Sequence, residues 1–144
     1  MGYYAGLFFD FTSEKGAFLF QPGIQFNSRG GSFAGKTTRL NYLEIPLSFS
    51  YKVARGFVLG HQDLRAHGSP YVGLNLNSSN LAISPAVSGI KKADYGIRSG
   101  LSFGLGSFEP FLGYDFGLAD ISANPAYKIS NRGFYLSFAL TAGK

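Results

Sequence analysis

Asn41-Tyr42-Leu43-Glu44-Ile45-Pro46-Leu47-Ser48-Phe49-Ser50-Tyr51-Lys52-Val53 carries the clearest pattern in the chain. Leu43, Ile45, Leu47, Phe49 and Tyr51 fall on one side of an extended backbone, and Glu44, Ser48, Ser50 and Lys52 on the other. Successive side chains of a strand point to opposite faces, so this period of two reads as a β-strand with one apolar face. The segment exceeds the roughly 9–11 residues that a tilted strand needs to cross a bilayer.

The same alternation recurs on both sides of it. Gly2–Phe11 sets Tyr3, Ala5, Leu7, Phe9 and Phe11 against Tyr4, Gly6, Phe8 and Asp10, and Ala17–Ser28 sets Phe18, Phe20, Ile24 and Phe26 against Gln21, Gly23, Gln25 and Asn27. Pro70–Ser79 opposes Val72, Leu74 and Leu76 to Gly73, Asn75 and Asn77, and Asp94–Leu105 opposes Tyr95, Ile97, Leu101, Phe103 and Leu105 to Gly96, Arg98, Gly100, Ser102 and Gly104. Phe108–Ile121 and Gly133–Ala142 complete seven segments. Pro22, Pro46 and Pro110 interrupt the pattern; each lacks a ladder donor, which predicts a bulge or a local edge.

The connections alternate in kind. Thr12–Gly16 and Gly106–Ser107 are short, whereas Arg29–Lys36, Asn80–Lys92 and Ser122–Asn131 are longer and polar or glycine-rich. Short turns at one end and long loops at the other are the layout of outer-membrane barrels. Ala54–Ser69 breaks the rule; Phe57-Val58-Leu59 extends the neighbouring strand there, and His61–Ser69 reads as an insertion.

Alternation alone does not say which face meets water. The polar face carries Gly, Ser, Asn and Gln with isolated charges, which suits the crowded interior of a narrow barrel rather than a solvated surface. Charged residues make up 15% of the chain, against about 25% in soluble domains. The 15 Phe and 9 Tyr concentrate on the apolar face, with Tyr3, Tyr51, Tyr95 and Phe134 near segment ends as interfacial girdles. The reading is therefore an all-β, antiparallel up-and-down transmembrane barrel, one domain over residues 1–144, set in outer-membrane lipid. No cysteine is present, which excludes disulfides, thiol nucleophiles and cysteine-held zinc. No apolar run is long enough for a transmembrane helix. Met1 precedes a strand pattern directly, so a bacterial outer-membrane location implies an export signal removed or encoded further upstream.

With the apolar face in lipid, Asp10, Glu44, Lys52, Arg98, Glu109 and Asp115 point inward. Ions inside a narrow barrel need partners. Arg98 lies mid-strand, and Glu44 or Asp115 reaches it, which gives a structural ion-pair cluster that plugs and stiffens the lumen. Arg29, Lys36, Arg39, Lys91, Lys92, Lys128 and Arg132 fall at the loop ends. Of these, Lys91, Lys92, Arg29 and Lys36 are candidates to meet lipopolysaccharide phosphates through charge-assisted hydrogen bonds. His61, Asp63 and His67 share one segment but supply too few ligands in fixed geometry for zinc. Gly100-Leu101-Ser102-Phe103-Gly104 has no following helix and is no phosphate loop. No Ser-His-Asp arrangement stands out, no cofactor is expected, and the net charge of +5 lies between the apolar segments rather than on one nucleic-acid-binding face.

Seven strands are odd, whereas single-chain bacterial barrels have even counts, so the reading expects an eight-stranded type lacking its first strand. The residues support a resemblance. Gly2-Tyr3-Tyr4-Ala5-Gly6-Leu7-Phe8-Phe9-Asp10-Phe11, Leu40-Asn41-Tyr42-Leu43-Glu44-Ile45-Pro46-Leu47, Gly68-Ser69-Pro70-Tyr71-Val72-Gly73 and Asp94-Tyr95-Gly96-Ile97-Arg98-Ser99-Gly100 resemble the PorT-like outer-membrane β-barrel domain of Bacteroidetes, and Asn131-Arg132-Gly133-Phe134-Tyr135-Leu136-Ser137 resembles its closing strand. The resemblance implies an eight-stranded barrel without catalytic residues. The first strand has no counterpart, and the chain ends Ala142-Gly143-Lys144 rather than on an aromatic residue. The functional expectation is a structural or interaction role in the cell envelope, alone or docked to a larger envelope complex, with no enzyme activity. A narrow pore for small solutes and a soluble lipocalin-like barrel with the faces reversed are the runners-up.

Overall fold

A computed structural model describes residues 3–13, 16–33, 36–56, 63–79, 91–105, 107–122 and 128–140. Eight strand segments form one antiparallel sheet: β1 (Tyr3–Phe8), β2 (Phe11–Thr12), β3 (Phe18–Phe33), β4 (Lys36–Arg55), β5 (Asp63–Ser79), β6 (Ala93–Gly104), β7 (Phe108–Gly117) and β8 (Arg132–Leu140). The order across the sheet is β1-β3-β4-β5-β6-β7-β8, and β2 also pairs with β3. β1 and β2 thus occupy one strand position, broken at Phe9–Asp10 but held to β3 by Phe9 N–H donating to the Pro22 carbonyl (3.0 Å). Every step joins neighbours in sequence, so the sheet is an up-and-down meander of seven positions that curls into part of a barrel.

The faces are reversed relative to a soluble protein. Leu43, Ile45, Leu47, Phe49, Val72, Leu74, Ile97, Leu101, Leu112 and Leu136 are all exposed, whereas Gln25, Asn27, Glu44, Ser50, Ser69, Asp94, Arg98 and Ser102 are buried. Water on the outer face would leave a continuous apolar surface unburied, far beyond the few hundred Å² that soluble monomers tolerate. Hydrocarbon on that face removes the conflict.

Inward glycines make room for inward rings. A Cβ built on Gly96 would lie 2.6 Å from the Tyr71 hydroxyl, and one on Gly113 would lie 2.7 Å from that of Tyr135. Each ring thus occupies the space a side chain at the facing glycine would fill. At the short-turn end, Gly16 and Gly56 adopt positive φ (62° and 67°), which glycine does without a Cβ clash. Leu105 and Phe108 close the β6–β7 hairpin, with Leu105 N–H donating to the Phe108 carbonyl (2.8 Å).

Three expectations change. Arg29–Lys36 is not a loop: the ladder runs on through Arg29↔Leu40 to Phe33↔Lys36, and β3 and β4 reach 16 and 20 residues. At about 3.3 Å per residue such strands outreach the ~30 Å hydrocarbon core, so this hairpin projects beyond the membrane. His61–Ser69 is not an insertion from Asp63 onward, because β5 begins there and Asp63–Gly68 already pair with both β4 and β6. The prolines interrupt the ladder without a bulge. Pairing lapses between Pro22↔Leu47 and Gln25↔Glu44 and between Pro46↔Tyr71 and Phe49↔Gly68 with the register kept, and register changes fall instead at Asn41/Tyr42 and Lys52/Ala54. Phe57-Val58-Leu59 and His61 lie outside the described residues.

Candidate functional site

The inward side chains of five strands meet on one charge network. Glu44 on β4 is wholly buried and accepts from Gln25 Nε2 (2.7 Å) and Asn27 Nδ2 (3.2 Å) of β3. Arg98 on β6 donates from one terminal nitrogen to Glu44 Oε2 (2.5 Å) and from Nε to Asp115 Oδ2 on β7 (3.2 Å). The structure thus brings Arg98, Glu44 and Asp115 together. A second guanidinium, Arg29 on β3, joins them: it lies 2.6 Å from Glu44, 2.8 Å from Asp94 and 3.1 Å from Asp115. Two tyrosines flank the cations. Arg98 stacks 4.2 Å over the Tyr71 ring, Arg29 lies 5.1 Å from the Tyr42 ring, and the Tyr71 hydroxyl donates to Asp115 Oδ1 (2.9 Å). Asn131, entering ahead of β8, donates to Asp94 Oδ2 (2.7 Å) and to the Tyr42 hydroxyl (3.3 Å).

This geometry decides the architecture. In the sheet, β3 and β7 are four positions apart, a path of roughly 19 Å at about 4.8 Å per strand. Arg29 and Asp115 nevertheless make an ion pair across that gap. A flat sheet cannot do this, so the polar face is the inside of a curved wall and the network spans its lumen. The family of the outer membrane protein β-barrel domain matches residues 1–123. The chain belongs to that family. No curated protein and no solved structure matches. For this outer-membrane barrel the exposed apolar belt is the lipid face and the charge network is its interior.

The network binds its own groups tightly. It holds two guanidiniums and three carboxylates, and each carboxylate oxygen receives a donor except Asp94 Oδ1, which has no partner among the described residues. Arg29 belongs here, inside the barrel, and not among the loop-end cations where the sequence reading sets it. Asp94 and Tyr71 are partners that the sequence pattern leaves unmarked. Asp94 shares the parity of Gly96 and Arg98, and one more step of the alternation finds it. Asn131 enters from an irregular segment, and no periodic signal marks it.

The other inward charges pair locally. Gln21 Nε2 donates to Asp10 (2.9 Å), Ser102 Oγ donates to Glu109 (2.6 Å), and Lys52 lies 2.6 Å from Asp63, with Arg65 3.7 Å from the same carboxylate. His67 turns inward, 3.5 Å from the Tyr135 hydroxyl and edge-on to Phe111. It is far along β5 from Asp63, and no group of three metal-ligating side chains occurs among the described residues. Lys91 and Lys92 are exposed at the loop end, and the Lys36 side chain lies outside the described residues.

Lys91 lies 3.8 Å from Asp120, which organises the loop after β7. The Asp120 carboxylate accepts from Ile129 N–H (3.0 Å) and Ser122 N–H (3.1 Å), and these bonds lower its pKa below the usual carboxylate value. A lowered folded-state pKa contributes order that is present above the ordinary Asp value and is lost as pH falls through the lowered one. Protection of the Ile129 amide, measured against the exchange rate of an unstructured amide at the same pH, is therefore expected to be present at neutral pH and to be lost on acidification below the ordinary Asp range. Asp120→Asn should abolish that pH dependence.

Proposed function

We propose that this barrel serves a structural or interaction role in the bacterial envelope and carries out no catalysis. The observation that supports this is the saturated lumen: Arg29 and Arg98 are each held by two or more carboxylates in the middle of the strands. Cations committed in this way stiffen a narrow barrel and block a continuous water path. The finer assignment is a PorT-like member of Bacteroidetes type, completed by a first strand that precedes β1. Its outer surface works through the projecting β3–β4 hairpin and the loop-end Lys91 and Lys92, which suit lipopolysaccharide phosphates or an acidic face of a larger envelope complex.

Refolding the purified chain with and without detergent micelles, followed by far-UV circular dichroism and planar-bilayer recording, tests the proposal. A strand spectrum that appears only with micelles, and membranes that stay non-conducting, are the expected results. Discrete conductance steps would replace the structural role by a narrow pore. A cooperative fold in plain buffer would overturn the membrane reading.

A further inference from the structure

On the turn side of the charge network the lumen is hollow. Ser69, Arg98 and Asp115 share one register row, and the next inward row toward the turns runs Ser50↔His67↔Gly100↔Gly113↔Tyr135. Gly100 and Gly113 put no side chain into the interior of this row. The Tyr135 ring lies over Gly113, where a Cβ would sit 2.7 Å from the phenol oxygen, and that oxygen lies 3.5 Å from His67 Nε2. Phe111 meets the His67 ring edge-on, with 5.3 Å between centroids. The space left is a cavity of about 650 Å³, with Arg98, Asp10 and Glu109 in its lining. That is the size of a small-molecule site, roughly 300–1,000 Å³. The cavity opens between β1 and β8, but Ser50 and His67 belong to the middle strands, across the lumen from that opening. A completed wall leaves both facing the same interior.

Two features of the lining lack a partner within the chain. Ser50 is 2% exposed and lines the cavity, and its hydroxyl has no hydrogen-bond partner among the described residues. Such a group is costly unless something in the cavity pairs with it. The second feature is charge. Asp10 accepts from Gln21 Nε2 and Glu109 accepts from Ser102 Oγ, both neutral donors. Neither carboxylate has a cation within ion-pair distance among the described residues. The nearby cations are engaged elsewhere: Arg98 with Glu44 and Asp115, Lys52 and Arg65 with Asp63. A ligand that satisfies this lining carries positive charge for the carboxylates and a hydroxyl for Ser50. The rings of Phe111 and Tyr135 add faces that attract a cation. An anion would meet two carboxylates and only cations already paired.

We propose that the turn-side half of the lumen is a binding chamber for a small hydroxylated organic amine, an amino sugar or amino alcohol. Glu109 and Asp10 hold its ammonium group and Ser50 holds a hydroxyl. The charge network is the closed end of the chamber, so the amine enters and leaves from the turn side and does not cross the barrel. The inference rests on the membrane-barrel reading, which makes this face a lumen, and adds a ligand to the structural role.

The chain has no cysteine, so one introduced thiol reports on the chamber. Ser50→Cys is refolded in micelles and its strand spectrum recorded. Its labelling by a small water-soluble thiosulfonate is then timed at about pH 6, where a primary amine is charged. The probes are glucosamine, its neutral relative N-acetylglucosamine, and glucose 6-phosphate. Lys91→Cys, exposed at the loop end, is the control. Glucosamine is expected to slow labelling of Ser50→Cys and leave Lys91→Cys unchanged, and the neutral sugar should need about tenfold more for the same protection. Adding Glu109→Gln should weaken protection by glucosamine about tenfold and leave that by the neutral sugar unchanged. Where Ser50→Cys does not fold, Ser137→Cys in the same lining carries the measurement. Four results overturn the chamber: a thiol that does not label, no protection by glucosamine, protection as strong by the neutral sugar or the phosphate, or protection by glucosamine that survives Glu109→Gln. Loss of the strand spectrum by the unaltered chain in micelles overturns the membrane reading and the chamber with it, whereas a retained spectrum with any of the four overturns the chamber alone.

Discussion

Arg98→Ala is expected to lower the unfolding free energy of the barrel in micelles by about 3–5 kcal/mol, the cost of removing one partner from a buried ion pair. The direction follows from the charge count. The intact network sets two guanidiniums against three carboxylates, and the variant would set Arg29 alone against Glu44, Asp94 and Asp115. Glu44 Oε2, wholly buried, and Asp115 Oδ2, largely buried, would each lose a charged donor. Tyr71, which lies under the guanidinium, would lose its stacking partner.

Glu44→Ala tests the same account from the other side. It removes the acceptor shared by Gln25, Asn27, Arg29 and Arg98, but leaves two cations facing two anions. The double variant should therefore be less destabilised than the sum of the two singles, by about 0.5–3 kcal/mol. Arg98→Lys should not restore stability, because an ammonium cannot present two separate nitrogens to Glu44 and Asp115. Urea titrations followed by tryptic protection would read all four. Unchanged stability in Arg98→Ala together with altered bilayer conductance would assign the cluster to ion passage instead.

Much of this fold is legible in the sequence because lipid on one face and a packed lumen on the other impose period two on nearly every strand. Asn41–Val53 shows it at full contrast, and the paired register Leu43↔Leu74 and Phe26↔Leu43 keeps apolar residues level with one another across β3, β4 and β5. Reading fails where the contrast fades. The first residues of β5, Asp63-Leu64-Arg65-Ala66-His67-Gly68, do alternate, but Leu64 is the one large apolar side chain among them, so the contrast between the faces is faint and the segment reads as a polar connection. Taken locally, the charge of Arg29 suggests the start of a loop, whereas the ladder to β4 carries it one step further along an inward parity that Gln25 and Asn27 already define. Glu44, Arg98 and Asp115 were visible as inward charges in mid-strand. Their meeting with Asn131 was not, since that contact depends on a segment without periodicity.

Leu112→Arg should give the other large effect, and its size should depend on depth in the bilayer. Leu112 points outward near the middle of β7, level with Leu101 on β6 and Leu136 on β8, all three exposed. In phosphatidylcholine vesicles the substitution is expected to cost about 2–4 kcal/mol of unfolding free energy, the value for a cation on the lipid face at the midplane. Phe108, at the turn end of the same strand, also points outward. Phe108→Arg should cost only about 0–1 kcal/mol, because the side chain there reaches the interface. A water-bathed outer face would accept both changes within about 0.5 kcal/mol and show no dependence on position. Hydrocarbon around the belt requires the gradient, and equal small costs at Leu112 and Phe108 would remove the lipid from the exposed face of this sheet.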